Sequence, residues 1–270
     1  MRQLFRGLLC VACVVGMAGP VSAASFRTAN FLVRAATPEL AQTVAEVAEE
    51  HRDLLARDWF GKPIPRWDRP CVIAANAEAP TPGGATTFSF ERGQVVVWEI
   101  NVHGSREQVL DSVLPHEISH AILISHFQRP LPRWADEGAA TLAEDASERR
   151  RQRLRTEQIL RNEHPSPLRK LLDIREYPGG DSTLTFYAQG YSVCDFLVQT
   201  GGRSGYLTFL EDAERTNWDD AVRRNYGFRD VDALERKWNA WVKAGSPDIK
   251  PPAHSIYVMA QPPPPPPLEN

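Results

Sequence analysis

Cysteine and methionine are scarce in this chain of 270 residues, which has four of the first and three of the second. Cys10 and Cys13 fall inside an N-terminal apolar run, so only Cys71 and Cys194 belong to the rest of the chain. That excludes a disulfide-dense scaffold and leaves one possible pair or two buried, reduced thiols. A strong charge of either sign is also missing, with 31 Lys and Arg against 34 Asp and Glu. Nothing in that balance points to nucleic acid. Arg149, Arg150, Arg151, Arg153 and Arg155 are interleaved with Glu144, Asp145, Glu148 and Glu157, as on a solvated helix face. The run from Leu8 to Met17 is short of the roughly 20 apolar residues that span a membrane. Arg2 and Arg6 precede it and Val21-Ser22-Ala23 follows, the form of a signal peptide cleaved after Ala23. The expected location is periplasmic or extracellular, with no stable membrane insertion once the leader is removed; a retained anchor is the alternative.

The chemistry concentrates in His116-Glu117-Ile118-Ser119-His120. On a helix, positions four apart differ by roughly 40° around the axis, so both imidazoles can reach one cation. Glu117 lies beside that face, where a carboxylate can hold a water polarised by the cation and take its proton. Val109, Leu110, Val113, Leu114, Ile118, Ala121, Ile122 and Ile124 make the surrounding helix apolar, as for one buried between two halves of a domain. Ser105 and Gln108 form a capping box at its start. Pro115 predicts a kink over 111–115, because it lacks an N–H and clashes one turn back.

Two residues compete to be the third ligand. His126 stands ten residues after His116, the metzincin spacing, but Leu123 occupies the position where that pattern has glycine. An unbroken helix turns His126 about 80° away from His116, and the methionine that a Met-turn needs is missing, Met259 lying in a Pro-rich tail. Glu137 is the stronger candidate. It falls in the first turn of a helix predicted from Arg133 to about Ala146, and Gly138 beside it permits close helix approach. Two His, one Glu and an open fourth position suit a catalytic zinc ion. Asp136 and Glu144 are the candidates to orient the imidazoles, with Asp111 and Asp145 also in reach.

These residues carry a resemblance. The H-E-x-x-H segment, then Trp134-Ala135-Asp136-Glu137-Gly138-Ala139, then Tyr187-Ala188-Gln189-Gly190 and a helical C-terminus, resemble the gluzincin peptidases of the peptidase MA-like branch over roughly 30–245. Zinc aminopeptidases of that clan have a tyrosine before x-Lys-Gly, so the resemblance implies that Tyr187 stabilises the transition state; Gln189 stands where they have Lys. A phenol can also donate to the charge that develops on a carbonyl oxygen during hydrolysis, and Tyr191, one turn on, is the alternative donor.

The expected fold is α+β and zincin-like. A leader (1–23) precedes an N-terminal mixed-sheet lobe carrying the active-site helix (24–130), a helical lobe carrying the third ligand (131–247) and a Pro-rich, disordered or PPII-like tail (248–270). Strands are expected at 30–34 and 71–75, and a hairpin from 86–90 and 94–100 about Glu91-Arg92-Gly93. Between the first two strands, a helix capped by Thr37 should bury Leu40, Val44, Val47, His51 and Leu54. Later helices should end at Gly201-Gly202, run from Ser204 to Arg215, and start at the caps Asn217 and Asp230. Such peptidases commonly bind substrate backbone along an exposed sheet edge, and Gly83-Gly84 could bring a loop close to it or form a plain turn. The Gly-Ala-Met-Glu-Asn exopeptidase motif is absent, which favours an endopeptidase acting on peptide or protein substrates. Two rival classes are an inactive relative that uses the cleft for binding, and a binding module with an accidental motif and no metal.

Overall fold

The computed structural model describes residues 24–249 except 92–93, 163–164 and 181; the leader and the proline run of the tail lie outside the described residues. Five strands, β1 (Ala24–Arg27), β2 (Phe31–Ala35), β3 (Cys71–Asn76), β4 (Glu78–Glu91) and β5 (Gln94–Ser105), form one mixed sheet in the order β1-β2-β3-β5-β4. The β2, β3 and β5 strands are parallel neighbours, whereas β1 and β4 pair antiparallel at the two edges. The hairpin is longer than its apolar alternation indicated, and β1 is an addition that four residues of sequence did not announce. The Gly83-Gly84 pair is no turn: both residues sit within β4, opposite His103 and Val102.

Helix α1 (Pro38–Phe60) joins β2 to β3, with Thr37 Oγ1 accepting the Leu40 N–H and Gly61 closing it in the left-handed region. Leu40 and Val44 are buried as expected and Val47 is half-buried, but the buried face is broader than the expected stripe and leaves out Leu54. Ala41, Ala45, Ala48, Arg52 and Trp59 face the core, whereas Leu54 is 62% exposed. Ala41 and Trp59 are eighteen residues, five full turns, apart, and Leu54 lies about 220° round from Ala41. His51 sits at the core edge, its Nε2 3.2 Å from the Leu110 carbonyl.

After β5 come one helical turn, α2 (Arg106–Gln108), a π-helical turn (Val109–Val113) and α3 (Leu114–Phe127). The capping box forms as expected, Ser105 Oγ accepting from the Gln108 N–H and Gln108 Oε1 from the Ser105 N–H. Instead of a simple proline kink, the π turn absorbs Pro115: Leu114 N–H reaches back to Val109 O, widening the turn into which the pyrrolidine ring would collide. Helix α3 is buried nearly throughout.

The remaining helices are α4 (Arg133–Thr141), α5 (Ala146–Asn162), α6 (Leu168–Leu172), α7 (Ser182–Arg215), α8 (Trp218–Tyr226) and α9 (Val231–Lys243). The helix expected from 133 to 146 stops at Thr141, and Asp145 opens α5 by accepting the Ser147 and Glu148 N–H groups. Gly202, at φ 74° and ψ 169°, breaks α7 where glycines were expected to end a helix. Asn217 and Asp230 cap α8 and α9 through the Asp220 and Ala233 N–H groups. Cys71 and Cys194 are both free and buried. Among the described residues, no helix is long and apolar enough to cross a membrane.

Two glycines set the distance between α4 and α7. A Cβ on Gly138 would stand 2.5 Å from the Gly190 carbonyl oxygen and 2.7 Å from Cys194 Cβ, and one on Gly190 would stand 3.1 Å from the Trp134 carbonyl oxygen. The two backbones therefore touch, and no flexible side chain can yield. Gly138→Ala should cost at least the roughly 1–3 kcal/mol of an overpacked core, read as a lower urea midpoint; an unchanged midpoint would show that the helices can part freely.

Candidate metal centre and catalytic cleft

The centre lies where α3, α4 and β4 meet. Four-residue spacing on α3 brings the His116 and His120 rings to 4.9 Å between centroids. From the first turn and a half of α4, Glu137 Oε2 approaches to 3.4 Å from His116 Nε2 and 3.8 Å from His120 Nε2. One ligand atom from each of the three residues lies within 4.8 Å of the others.

The outer nitrogens are already committed. His116 Nδ1–H donates to Glu144 Oε1 at 2.6 Å, and His120 Nδ1–H to Asp136 Oδ1 at 2.8 Å. A carboxylate can only accept, so each bond fixes the tautomer that turns a bare Nε2 towards Glu137. A tetrahedral ion with bonds of about 2.0–2.1 Å separates its ligand atoms by about 3.3 Å, close to the spacing seen here. Two imidazoles and a carboxylate, with both outer nitrogens braced, fit a divalent metal of the zinc type.

Electrostatics agree with a site built for a cation. Burial alone would drive the imidazoles neutral, yet the bonds to Glu137 and Glu144 hold His116 well above its ordinary pKa. His120 is likewise raised, to about 9, as Asp136 and Glu137 outweigh burial. Burial would raise Glu137, but the two imidazoles and a tyrosine bring it down to about 2. In this cluster the carboxylate and the two imidazoles thus each favour the charged form of the other.

Glu117 is 3% exposed and points to β4. Thr86 Oγ1 donates to its Oε2 at 2.6 Å, and a Cβ on Gly84 would come within 2.5 Å of its Oε1. Burial raises the Glu117 pKa against the opposing pull of His116, His120 and Thr86. Its carboxylate is held in one place and made more basic than a solvated one.

Two tyrosines wall the other side. Tyr177 donates its phenol hydrogen to Glu137 Oε1, leaving Oε2 for the imidazoles. Tyr187, from α7, stacks on Tyr177 with centroids 6.0 Å apart, and Arg133 lies 4.9 Å over the Tyr177 ring. Burial, then the charges of Glu137 and Glu117, push the Tyr187 pKa up and keep its phenol protonated as a donor. Tyr191 faces elsewhere: it is fully buried and donates to Asp195. Gln189, in the place of the aminopeptidases' lysine, is fully buried and clamps the Ser166 backbone through both amide atoms.

The structure thus gathers His116, His120, Glu137, Glu117 and Tyr187 in one place. His126 is not among them; it stacks on Phe60 at 4.7 Å, with Nε2 3.6 Å from Glu211. Sequence reasoning missed Thr86 and Tyr177. Thr86 is one of two adjacent threonines, and only strand alternation puts it rather than Thr87 on the inner face. Tyr177 sits in an irregular stretch, forty residues from its partner, with no periodicity to mark it.

Residues 83–244 match the family model for the peptidase MA superfamily, a span that starts in β4 and runs through α9. Among curated proteins, none matches the chain.

Proposed function

The chain belongs to the peptidase MA superfamily, and from that premise we propose that it is an exported zinc endopeptidase of the gluzincin type. The observation that carries the reading is the convergence of His116 Nε2, His120 Nε2 and Glu137 Oε2, with both outer imidazole nitrogens tied to carboxylates. His116, His120 and Glu137 would hold the zinc ion, which supplies Lewis-acid polarisation of the attacking water and the scissile carbonyl.

Glu117 accepts a proton from the attacking water as its oxygen bonds to the carbonyl carbon. It then gives that proton to the amide nitrogen, so that the C–N bond breaks to a neutral amine. Thr86, by holding Oε2, keeps Glu117 Oε1 as the working atom. The oxygen of the former carbonyl gathers negative charge, and Tyr187 donates its phenol hydrogen there. Tyr177 positions Glu137 by holding Oε1, which leaves Oε2 facing the two imidazoles, where it would serve as a ligand. The β4 strand forms the sheet edge beside Glu117, and its unpaired side can take substrate backbone as an added strand, with main-chain affinity and little side-chain selectivity. The leader motif at 1–23 supports export.

Elemental analysis together with a quenched-fluorescence peptide library tests this reading. About one zinc per chain with internal cleavage is the expected result, and a folded, zinc-resupplied chain that holds no metal would sink it. A finer test uses Gly84→Ala. The added methyl meets the end of the Glu117 side chain rather than backbone, so the fold should survive while the base moves. Misplacement of about 1 Å costs on the order of 100-fold in rate. The variant should keep its zinc and melting temperature and lose kcat; full activity would mean that Glu117 does not work from this position.

A further inference from the structure

Away from the metal centre, at the other end of α3, lies a groove of about 2160 Å³. His126 on its wall is ten residues beyond His116, about 15 Å along the helix axis. The volume exceeds the roughly 300–1,000 Å³ of small-molecule sites, so an extended segment of chain is the better match.

The groove is aromatic and rigidly built. Trp67 and Trp98 contact each other at 4.6 Å and Phe60 stacks on His126, all four of them groove residues only partly covered by the fold. The wall formed by 61–70 is held to the rest of the fold by several contacts. Arg52 donates to the Pro65 carbonyl and lies 4.5 Å over the Trp67 ring, Trp67 N–H donates to Asn30 Oδ1, and the Trp67 indole donates to Ser125 Oγ. Gln94, Trp98 and Arg203 on the walls carry N–H donors. Flat aromatic faces with interspersed donors are what a polyproline II segment needs, since proline supplies ring surface and a carbonyl but no N–H.

This chain carries such a segment, Pro262–Pro267. The last described residues lead to the groove: Trp241 Nε1 donates to the Pro247 carbonyl, and Ile249 N–H donates to Gln199 Oε1 at 2.8 Å. Gln199 is itself a wall residue. Twelve residues lie between Ile249 and Pro262, a reach of up to about 45 Å, while six prolines in polyproline II form extend about 19 Å. We infer that the groove is a polyproline-binding site and that its occupant is the chain's own Pro262–Pro267 segment, docked on Trp67 and Trp98.

Hydroxyl-radical footprinting of the full chain, resolved by residue, tests this directly. Oxidation of Trp98 and Trp67 should rise several-fold when Pro262–Pro267 are all replaced by Ser, whereas buried Trp238 should not change. Trp238 serves as the internal control, since misfolding would raise its oxidation as well. A tethered segment acts at about millimolar effective concentration, so a free peptide of sequence Pro-Pro-Pro-Pro-Pro-Pro-Leu-Glu-Asn at about that level should restore protection in the Ser variant. Equal oxidation in the two chains would overturn the proposal. Protection that grows with protein concentration alongside a dimer in sedimentation would overturn the intramolecular assignment, placing a second copy's tail in the groove.

Discussion

Replacing Glu117 with Gln should leave about one zinc per chain and lower kcat for peptide hydrolysis by about 10²–10⁴-fold, the usual worth of a positioned general base. The amide keeps the shape of the carboxylate and can still accept from Thr86 through its carbonyl oxygen, so the packing against β4 survives. Only the basicity goes. Because Glu117 is buried, no neighbouring water network can replace it as a proton acceptor without moving the strand that covers it. Steady-state rates with an internally quenched peptide, alongside elemental analysis of the same sample, provide the check. Retained zinc with a rate within tenfold of the parent would remove Glu117 from the mechanism and leave the proton transfer to another group.

The second large effect belongs to Glu137. An outer hydrogen-bond partner of a metal ligand is worth about 10–100-fold in affinity, and Glu137→Ala, which deletes a direct donor, should exceed that. The loss would also strand its neighbours. Tyr177 would lose the acceptor for its phenol hydrogen, and the two Nε2 atoms would face each other with no anion between them. Competition against a chromophoric chelator measures the change, and His126→Ala is the comparison. With His126 stacked on Phe60 and paired to Glu211, its removal should leave zinc affinity unaltered. Zinc lost from the His126 variant and kept in the Glu137 variant would transfer the third ligand to His126.

Both expectations rest on residues that were readable before any coordinates, because they lie in short segments whose geometry is local. A helix with histidines four apart presents them together wherever it is placed. Caps behave the same way. Thr37, the Ser105 and Gln108 pair, Asn217 and Asp230 each answer to an N–H group three residues away, and all close as their sequences indicate. Gly138 was legible as a site of close approach, though its partner Gly190 was not. On α1 the expected stripe holds at Leu40 and Val44 and fails at Leu54, because apolar type alone does not say how far round the helix the core extends. Its apolar residues allow more than one stripe, and the face chosen by the fold includes Arg52, whose guanidinium finds the Pro65 carbonyl and the Trp67 ring. Proline at 115 announced strain correctly, but the π turn that relieves it depends on how α3 enters beneath the sheet.

By itself the sequence determined the pairing of His116 with His120, the α+β class and the resemblance to the family, since each is carried by residue type and by spacing within one turn or one strand. Tertiary structure decided which acids brace which imidazoles, and that Glu137 rather than His126 faces them. It also decided that Thr86 holds Glu117 and that Tyr177 holds Glu137. Those pairs join residues from 16 to 40 positions apart, and contacts at such separations follow from the packing of β4, α3, α4 and α7 against one another. Helical or strand periodicity fixes directions only within an element, so it carries no information about which side chain of another element will arrive.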